Sequence, residues 1–244
     1  MEMNIHLDKD IFEIVKNGTK HIEVRVNDEK RRKLNIGDKL NFIIRPEEDR
    51  KITAKVKDLK LYKDFSELVE HYDMRDMYLE NYTKEDFLKL LERFYTKEEQ
   101  EEWGVIAIDF IKTEKSCGIV VFNDKDEILM IKHNIGHWGV PKGHIEENET
   151  EEETAFREVL EETNINASII DGFRETITYS PRINTTKDVV FFVGKANNLD
   201  IIKQDNEIEE AEFMDLDKAL EVSTKYPEMQ NVLTKAYKFY KGVK

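Results

Sequence analysis

The sequence has 244 residues but one cysteine, Cys117, so no disulfide can close within the chain. A reducing compartment fits that count, and the cytoplasm is the expected location. Cys117 itself reads as a small buried hydrophobe in a strand. No stretch approaches the roughly 18 apolar residues that a membrane helix requires. The opening MEMNIHLDKDIF is acidic and mixed, unlike a secretory signal. There is no internal repeat and no low-complexity linker. Positive charge is scarce: 38 Lys and Arg face 52 Asp and Glu, a net charge of −14. Residues 1–112 hold 22 basic and 26 acidic side chains, and the remainder 16 and 26. Such a chain is a poor nonspecific nucleic-acid binder through its overall field, which leaves only local basic patches for that role.

What is present is enough apolar material, 39% of the residues, for one large domain or two of about 100–130 residues. The first half reads as a helix at Asp8–Asn17, with Ile11, Ile14 and Val15 on one face and Gly18 where a helix end wants it. Strands follow at His21–Val26, Lys39–Ile44 and Lys51–Leu61, then helices near 64–72 and 84–94 and a third from Thr96. Trp103–Ile111 closes that half as an apolar strand, and a break is expected at Lys112–Lys115. The second half offers strands at Cys117–Phe122 and Glu127–His133, a loop Asn134–Asn148, a helix Thr150–Thr163, strands near 166–179 and 187–195, and a last helix near 227–240. The mixture predicts α+β or α/β domains, one over 1–112 and one over 116–244.

The helix Thr150–Thr163 carries the strongest chemical pattern. At about 100° per residue, Phe156, Val159 and Leu160 share one arc with Ala155 at its edge, which predicts the buried face. Glu158, Glu161 and Glu162 share the opposite arc, with Glu151 pointing the same way. Like charges at these spacings cost roughly 0.2–0.5 kcal/mol per pair, a penalty that a bound cation reverses. Carboxylate oxygens suit magnesium, which keeps some waters and shares substrate phosphates.

From Gly143 the chain reads GHIEENETEEETAFREVLEETNI, which resembles the Nudix box. Gly143, Glu149, Arg157, Glu158, Val159, Glu161, Glu162 and Ile165 match at the box spacing, and Asn164 stands where the family has glycine. Asparagine is the second choice after glycine for a left-handed helix end, so the turn is expected to survive. The resemblance implies a Nudix α/β/α sandwich with a mixed sheet and a pyrophosphohydrolase using Mg²⁺ (or Mn²⁺). It implies Glu158, Glu161, Glu162 and the Gly143 carbonyl as metal ligands, and a pairing of Arg157 with Glu149.

The run His137–His144, the stretch Gly172–Val193 and the segment around Glu207 with Phe213 are similar to asymmetric diadenosine tetraphosphate hydrolases. That similarity implies polyphosphate contacts from His137 and Lys142, adenine stacking on Tyr179, and Arg182 and Lys187 near phosphates. Glu207 would be a further carboxylate, a metal ligand or base, so the implied catalytic residues are Glu161, Glu162, Glu207 and Arg157.

Residues from about 4 to 112 resemble an ASCH domain, a PUA-like β-barrel with helices. The resemblance rests on Gly18–Arg25, Lys30–Lys33, Gly37-Asp38 and the Trp103–Ile111 strand. It implies an RNA-binding module, with Lys20, Arg25, Lys30, Arg31, Arg32 and Lys33 forming a local basic patch and Lys20, Arg25, Arg31 and Arg32 as the candidate contacts. Some small relatives are amidohydrolases using a Lys and a Thr, but Glu23 occupies the threonine place here. The leading expectation is cleavage of diadenosine tetraphosphate into ATP and AMP. The alternatives are removal of a 5′ pyrophosphate or cap from RNA held by the first domain, or a noncatalytic nucleotide- or RNA-binding regulator. Nothing here sets the oligomeric state.

Overall fold

In a computed structural model of the chain, which describes residues 1–77, 82–204 and 206–243, two compact units are distinguished. The first is Met1–Glu114 together with Ser180–Thr186; the second is Lys115–Tyr179 together with Lys187–Lys244. The architecture is mixed α+β.

The first unit opens with β1 (Glu2–Asp8), in which Met3, Ile5 and Leu7 alternate inward. Helix α1 (Lys9–Lys16) buries Phe12 and Val15. Strands β2 (Ile22–Val26), β3 (Lys39–Arg45) and β4 (Lys51–Tyr62) follow. Then come α2 (Phe65–Glu70), α3 (Lys84–Leu91) and α4 (Lys97–Trp103), each started by a side chain that accepts a backbone N–H: Asp64, Thr83 and Thr96. Strand β5 runs from Val105 to Phe122. Strand β1 pairs in parallel with β3, and the antiparallel ladder continues β3–β4–β5–β2. Period-two alternation along β5 feeds two cores: Ile106, Ile108 and Phe110 pack with β1, α1 and β3, while Val105 and Ala107 pack with β2, α2 and α3.

The division between the units falls at Glu114 and Lys115, inside the expected Lys112–Lys115 break, but the chain there is strand and not linker, since β5 passes through it. Charged residues there read as a linker, but they are used as strand. The Lys112 amine bonds the Lys16 carbonyl and pairs with Glu114, so both charges are satisfied with little exposure. β1 went unread because its apolar positions lie among polar and charged ones.

The second unit uses the last part of β5 with β6 (Ile128–His133), β7 (Trp138–Gly139), β8 (Lys142–His144), β9 (Ala167–Ile169), β10 (Glu175–Arg182), β11 (Thr185–Ala196) and β12 (Ile208–Met214). Its helices are α5 (Glu151–Thr163), α6 (Leu216–Val222) and α7 (Pro227–Val243). Ile119 and Val121 point to the α5 side with Leu129, Ala155 and Val159. Val120 and Phe122 point to the α6 and α7 side with Ile128, Met130, Val232 and Leu233. Helices therefore cover both faces of the sheet. No helix among the described residues is long and apolar enough to cross a membrane. β12 escapes a pattern reading because Glu209, Glu210 and Glu212 interrupt its apolar positions.

Candidate active site

Helix α5 starts with a capping box, in which Thr150 and Glu153 each accept the other's backbone N–H. It ends on Asn164 at φ 61°, left-handed, whose side-chain amide donates to the Asp200 carbonyl. The helix faces differ from the expected ones. Ala155, Val159, Glu162 and Thr163 are buried, whereas Phe156 is 37% and Leu160 51% exposed. The apolar arc was misread because Glu162 projects only about 20° from Ala155, on the side away from Val159, and this carboxylate is taken inside.

That choice sets the electrostatics. Glu162 is 3% exposed and accepts the Lys142 backbone N–H at 2.9 Å. Burial, reinforced by the Glu158 and Glu207 charges and opposed by Lys142, pushes its carboxyl up to about 8. Glu158 is raised for the same leading reason, with Arg157 opposing and Glu161 and Glu207 adding repulsion. Glu207, exposed just before β12, thus bears on both. Glu161 is on the solvent side.

Arg157 organises the approach. Its Nε and Nη2 donate to Glu149 at 2.6 and 2.9 Å, and Nη2 reaches the His144 carbonyl at 3.0 Å. Nη1 donates to Glu158 at 2.7 Å and to Glu161 at 3.2 Å. Hydrogen bonds from Arg157 and Thr154 hold the Glu149 carboxyl down to about 2. The loop before the helix is thereby clamped to it. β8 lies antiparallel on β5, Cys117 opposite Gly143 and Gly118 opposite Lys142. A Cβ on Gly143 would overlap the Glu158 carboxylate, and one on Gly118 would overlap the Pro141 carbonyl and the Lys142 side chain. Both glycines are what let the 141–143 segment close on the carboxylates. Gly118 was not singled out in the sequence, since a lone strand glycine signals only a close approach.

Beyond Lys142 lies a row of rings. His133 and His137 are 4.5 Å apart between centroids, and Tyr226 meets His137 edge-on at 5.8 Å. Burial, with Lys142 nearby, lowers His137 and pushes His133 down to about 4. Burial likewise lowers the Lys142 ammonium, against the pull of Glu162 and Glu158. His133 and Tyr226 carry no motif and were not picked out. Tyr179 is 43% exposed on β10, and the Lys187 amine lies 3.4 Å from His144 Nε2. Arg182 falls in the first unit, where it pairs with Glu114 at 2.8 Å.

Among the described residues no group of three acidic or imidazole side chains is gathered tightly enough to hold a metal ion, because Arg157 draws Glu158 and Glu161 to itself. The donor chemistry still fits a hard divalent ion. The donors are all oxygen, two carboxyls are raised by burial with like charges adding, and magnesium asks for one or two carboxylates plus phosphate rather than a full protein cage.

In the first unit, the four basic candidates do not form an open patch. Lys20 and Arg25 close around the buried Glu23, at 3.3 and 2.7 Å. Arg31 pairs with Asp28, and Arg32 sits 4.8 Å over the Trp103 ring. A cleft of about 470 Å³ lies beside them, lined by Met1, Asp28, Glu29, Lys30, Lys33 and Trp103, and so contains none of the α5 carboxylates.

The NUDIX domain model matches residues 112–236 and the ASCH domain model residues 5–114. The chain belongs to the Nudix family, and it is a hydrolase acting on phosphoric anhydride bonds. Nudix hydrolases generally use divalent metals. More particularly, the chain is 30% identical over 140 residues to the asymmetrical bis(5′-nucleosyl)-tetraphosphatase of Rattus norvegicus, covering 51% of this chain and 94% of that protein. It is 30% identical over 136 residues to the enzyme of the same name from Caenorhabditis elegans, covering 52% and 97%. A crystal structure of a C. elegans Ap4A hydrolase binary complex aligns with a TM-score of 0.49 at 29% identity, over 53% of this chain and 98% of that one.

Proposed function

We propose that the chain is a Mg²⁺-dependent pyrophosphohydrolase that cleaves diadenosine tetraphosphate into ATP and AMP, with 116–244 as its catalytic domain and 1–112 as the ASCH domain. The observation that carries this reading is the adjacency, in one unit, of the raised carboxyls Glu158 and Glu162 to half-buried Lys142, whose backbone N–H donates to Glu162 at 2.9 Å. Relatives named for this reaction cover nearly the whole length of their own chains.

Glu158, Glu161, Glu162, Glu207 and the Gly143 carbonyl would hold the ion. When bound, such an ion polarises a phosphate oxygen and lowers the pKa of an attacking water. Lys142 and His137 neutralise and orient the polyphosphate, with Lys187 beside them. Tyr179 offers an aromatic face to a nucleobase. Glu207, exposed to solvent, would bind the ion or take the proton that water releases. Arg157 positions Glu149 and the Gly143 loop. The neutralised Lys20 and Arg25 lend no support to a transcript-holding surface at those residues, which favours the dinucleotide over an RNA 5′ end.

The test is incubation with diadenosine tetraphosphate and Mg²⁺, then separation of nucleotides. ATP plus AMP are expected, with no product after chelation or from Glu162→Gln. Two ADP, or no cleavage, rejects this substrate and reaction.

A further inference from the structure

The acids that open β12, Glu207, Glu209, Glu210 and Glu212, are not used alike. Lys132 on β6 holds Glu209 and Glu210 at 2.9 and 2.8 Å, and Lys218 holds Glu212 at 2.9 Å. Glu207 is exposed and makes no ion pair among the described residues. Its backbone, by contrast, is fixed from two sides. On one side Gln204 donates its N–H to the Glu162 carbonyl at 3.2 Å, and Glu207 and Ile208 donate theirs to the Gln204 carbonyl at 3.3 and 2.9 Å. The turn that carries Glu207 therefore starts on the α5 residue whose carboxyl is buried. On the other side the β6–β12 ladder ends with His133 opposite Ile208. Asn134, one position beyond, adds a last rung. Its backbone N–H donates to the Glu207 carbonyl at 3.0 Å, and its side-chain amide to the Asn206 carbonyl at 2.8 Å. Asn134 is itself held in the closed β6–β7 turn, where Gly136 donates to the His133 carbonyl at 2.7 Å. Any residue but proline can make the backbone bond; the second bond needs a side-chain donor at this reach.

We infer that Asn134 is a positioning residue for Glu207, its side-chain amide holding the Glu207 backbone in place relative to α5. The inference rests on reading Glu207 as the working carboxylate outside the helix. Asn134→Ala removes the amide. Asn134→Asp keeps its shape but sets an acceptor against the Asn206 carbonyl. Because Asn134 is exposed, neither change disturbs a core.

The measurements, on the full chain, are kcat and KM for diadenosine tetraphosphate with Mg²⁺, and calorimetric affinity for Mn²⁺ alone. Glu207→Gln is expected to lower kcat or Mn²⁺ affinity at least about tenfold. Asn134→Ala should lower the same quantity about fivefold, the worth of one hydrogen bond, with KM within about twofold. Asn134→Asp should be at least as impaired. In a Glu207→Gln background Asn134→Ala should add nothing, because the two act as one unit. A harmless Asn134→Ala beside a damaging Glu207→Gln overturns the inference. So does an Asp variant that works like the parent, an effect confined to KM, or a full fivefold loss on top of Glu207→Gln, which marks another route. If Glu207→Gln changes neither quantity, the reading of Glu207 falls and takes the inference with it. If the parent leaves the dinucleotide intact, the substrate reading alone falls, and the Mn²⁺ affinities of the same variants decide on Asn134.

Discussion

Glu23 in the first unit and Glu162 in the second are carboxylates of equal burial, 4% and 3% exposed, whose acidities move in opposite directions. For both, burial is the leading influence and favours the protonated form. Around Glu23 it is overcome by Arg25 and Lys20, which hold the carboxyl below its ordinary value. Around Glu162 a single cation, Lys142, is set against Glu158 and Glu207, and the carboxyl rises to about 8. Burial alone therefore does not mark a site. A buried acid that brings its own cations is a completed structural element. A buried acid among further acids lacks a positive charge, and a ligand has to deliver it.

The widest test of this contrast is Glu162→Gln. Hydrolysis should fall at least about a hundredfold, read from steady-state product formation. The same change should alter stability in a telling direction. Between its ordinary 4.5 and about 8, the folded metal-free chain holds a proton at Glu162 that the unfolded chain has released. Stability must then drop as pH rises through that window, and Glu162→Gln should flatten the drop and exceed the parent above pH 8. Urea denaturation in a chelator, repeated from pH 5 to 9, reads this; parallel curves for the two proteins would refute it. Glu23→Gln is the mirror experiment. It strands Lys20 and Arg25 with little solvent and should cost about 3 kcal/mol in the same denaturation assay. A loss under about 1 kcal/mol would mean that the cluster is not paired as described.

Smaller effects sharpen the picture. Gly143→Ala places a methyl where the Glu158 carboxylate lies, and that flexible end must swing away. About a tenfold loss in rate is expected, with a stability change under about 1 kcal/mol. An unaltered rate would show that Glu158 does not need its present position. Asn164→Ala puts an alanine at φ 61° and removes the bond to Asp200, so a loss of about 1 kcal/mol in thermal or urea unfolding is expected. Asn164→Gly should fall within about half of that.

Spacing made the helix, its cap and its acidic residues legible, because the box fixes Glu158, Glu161 and Glu162 relative to Gly143 whatever the tertiary context. Hydropathy misplaced the buried face. It counts Phe156 and Leu160 as interior and Glu162 as exterior, and no scale registers that a carboxylate is taken inside. Tertiary neighbours were not legible at all. His133 meets His137 only after β6 and β7 are paired, and Arg182 lands beside Glu114 although it is close in sequence to Tyr179 and Lys187. The basic residues of the first half were visible, but the pairing of Lys20 and Arg25 with Glu23 and of Arg31 with Asp28 depends on strand and turn geometry.

The way the chain is shared out has a practical consequence for anyone cutting the gene. The first compact unit is not a contiguous stretch, since Ser180–Thr186 completes it: Lys112 donates its backbone N–H to the Asn184 carbonyl and Arg182 pairs with Glu114. A truncation after residue 114 discards those partners, and one placed at 112–115 also divides β5 in the middle of a strand. Fragments made at the apparent junction should be judged as damaged halves, and single-residue variants of the whole chain are the cleaner way to assign work to either.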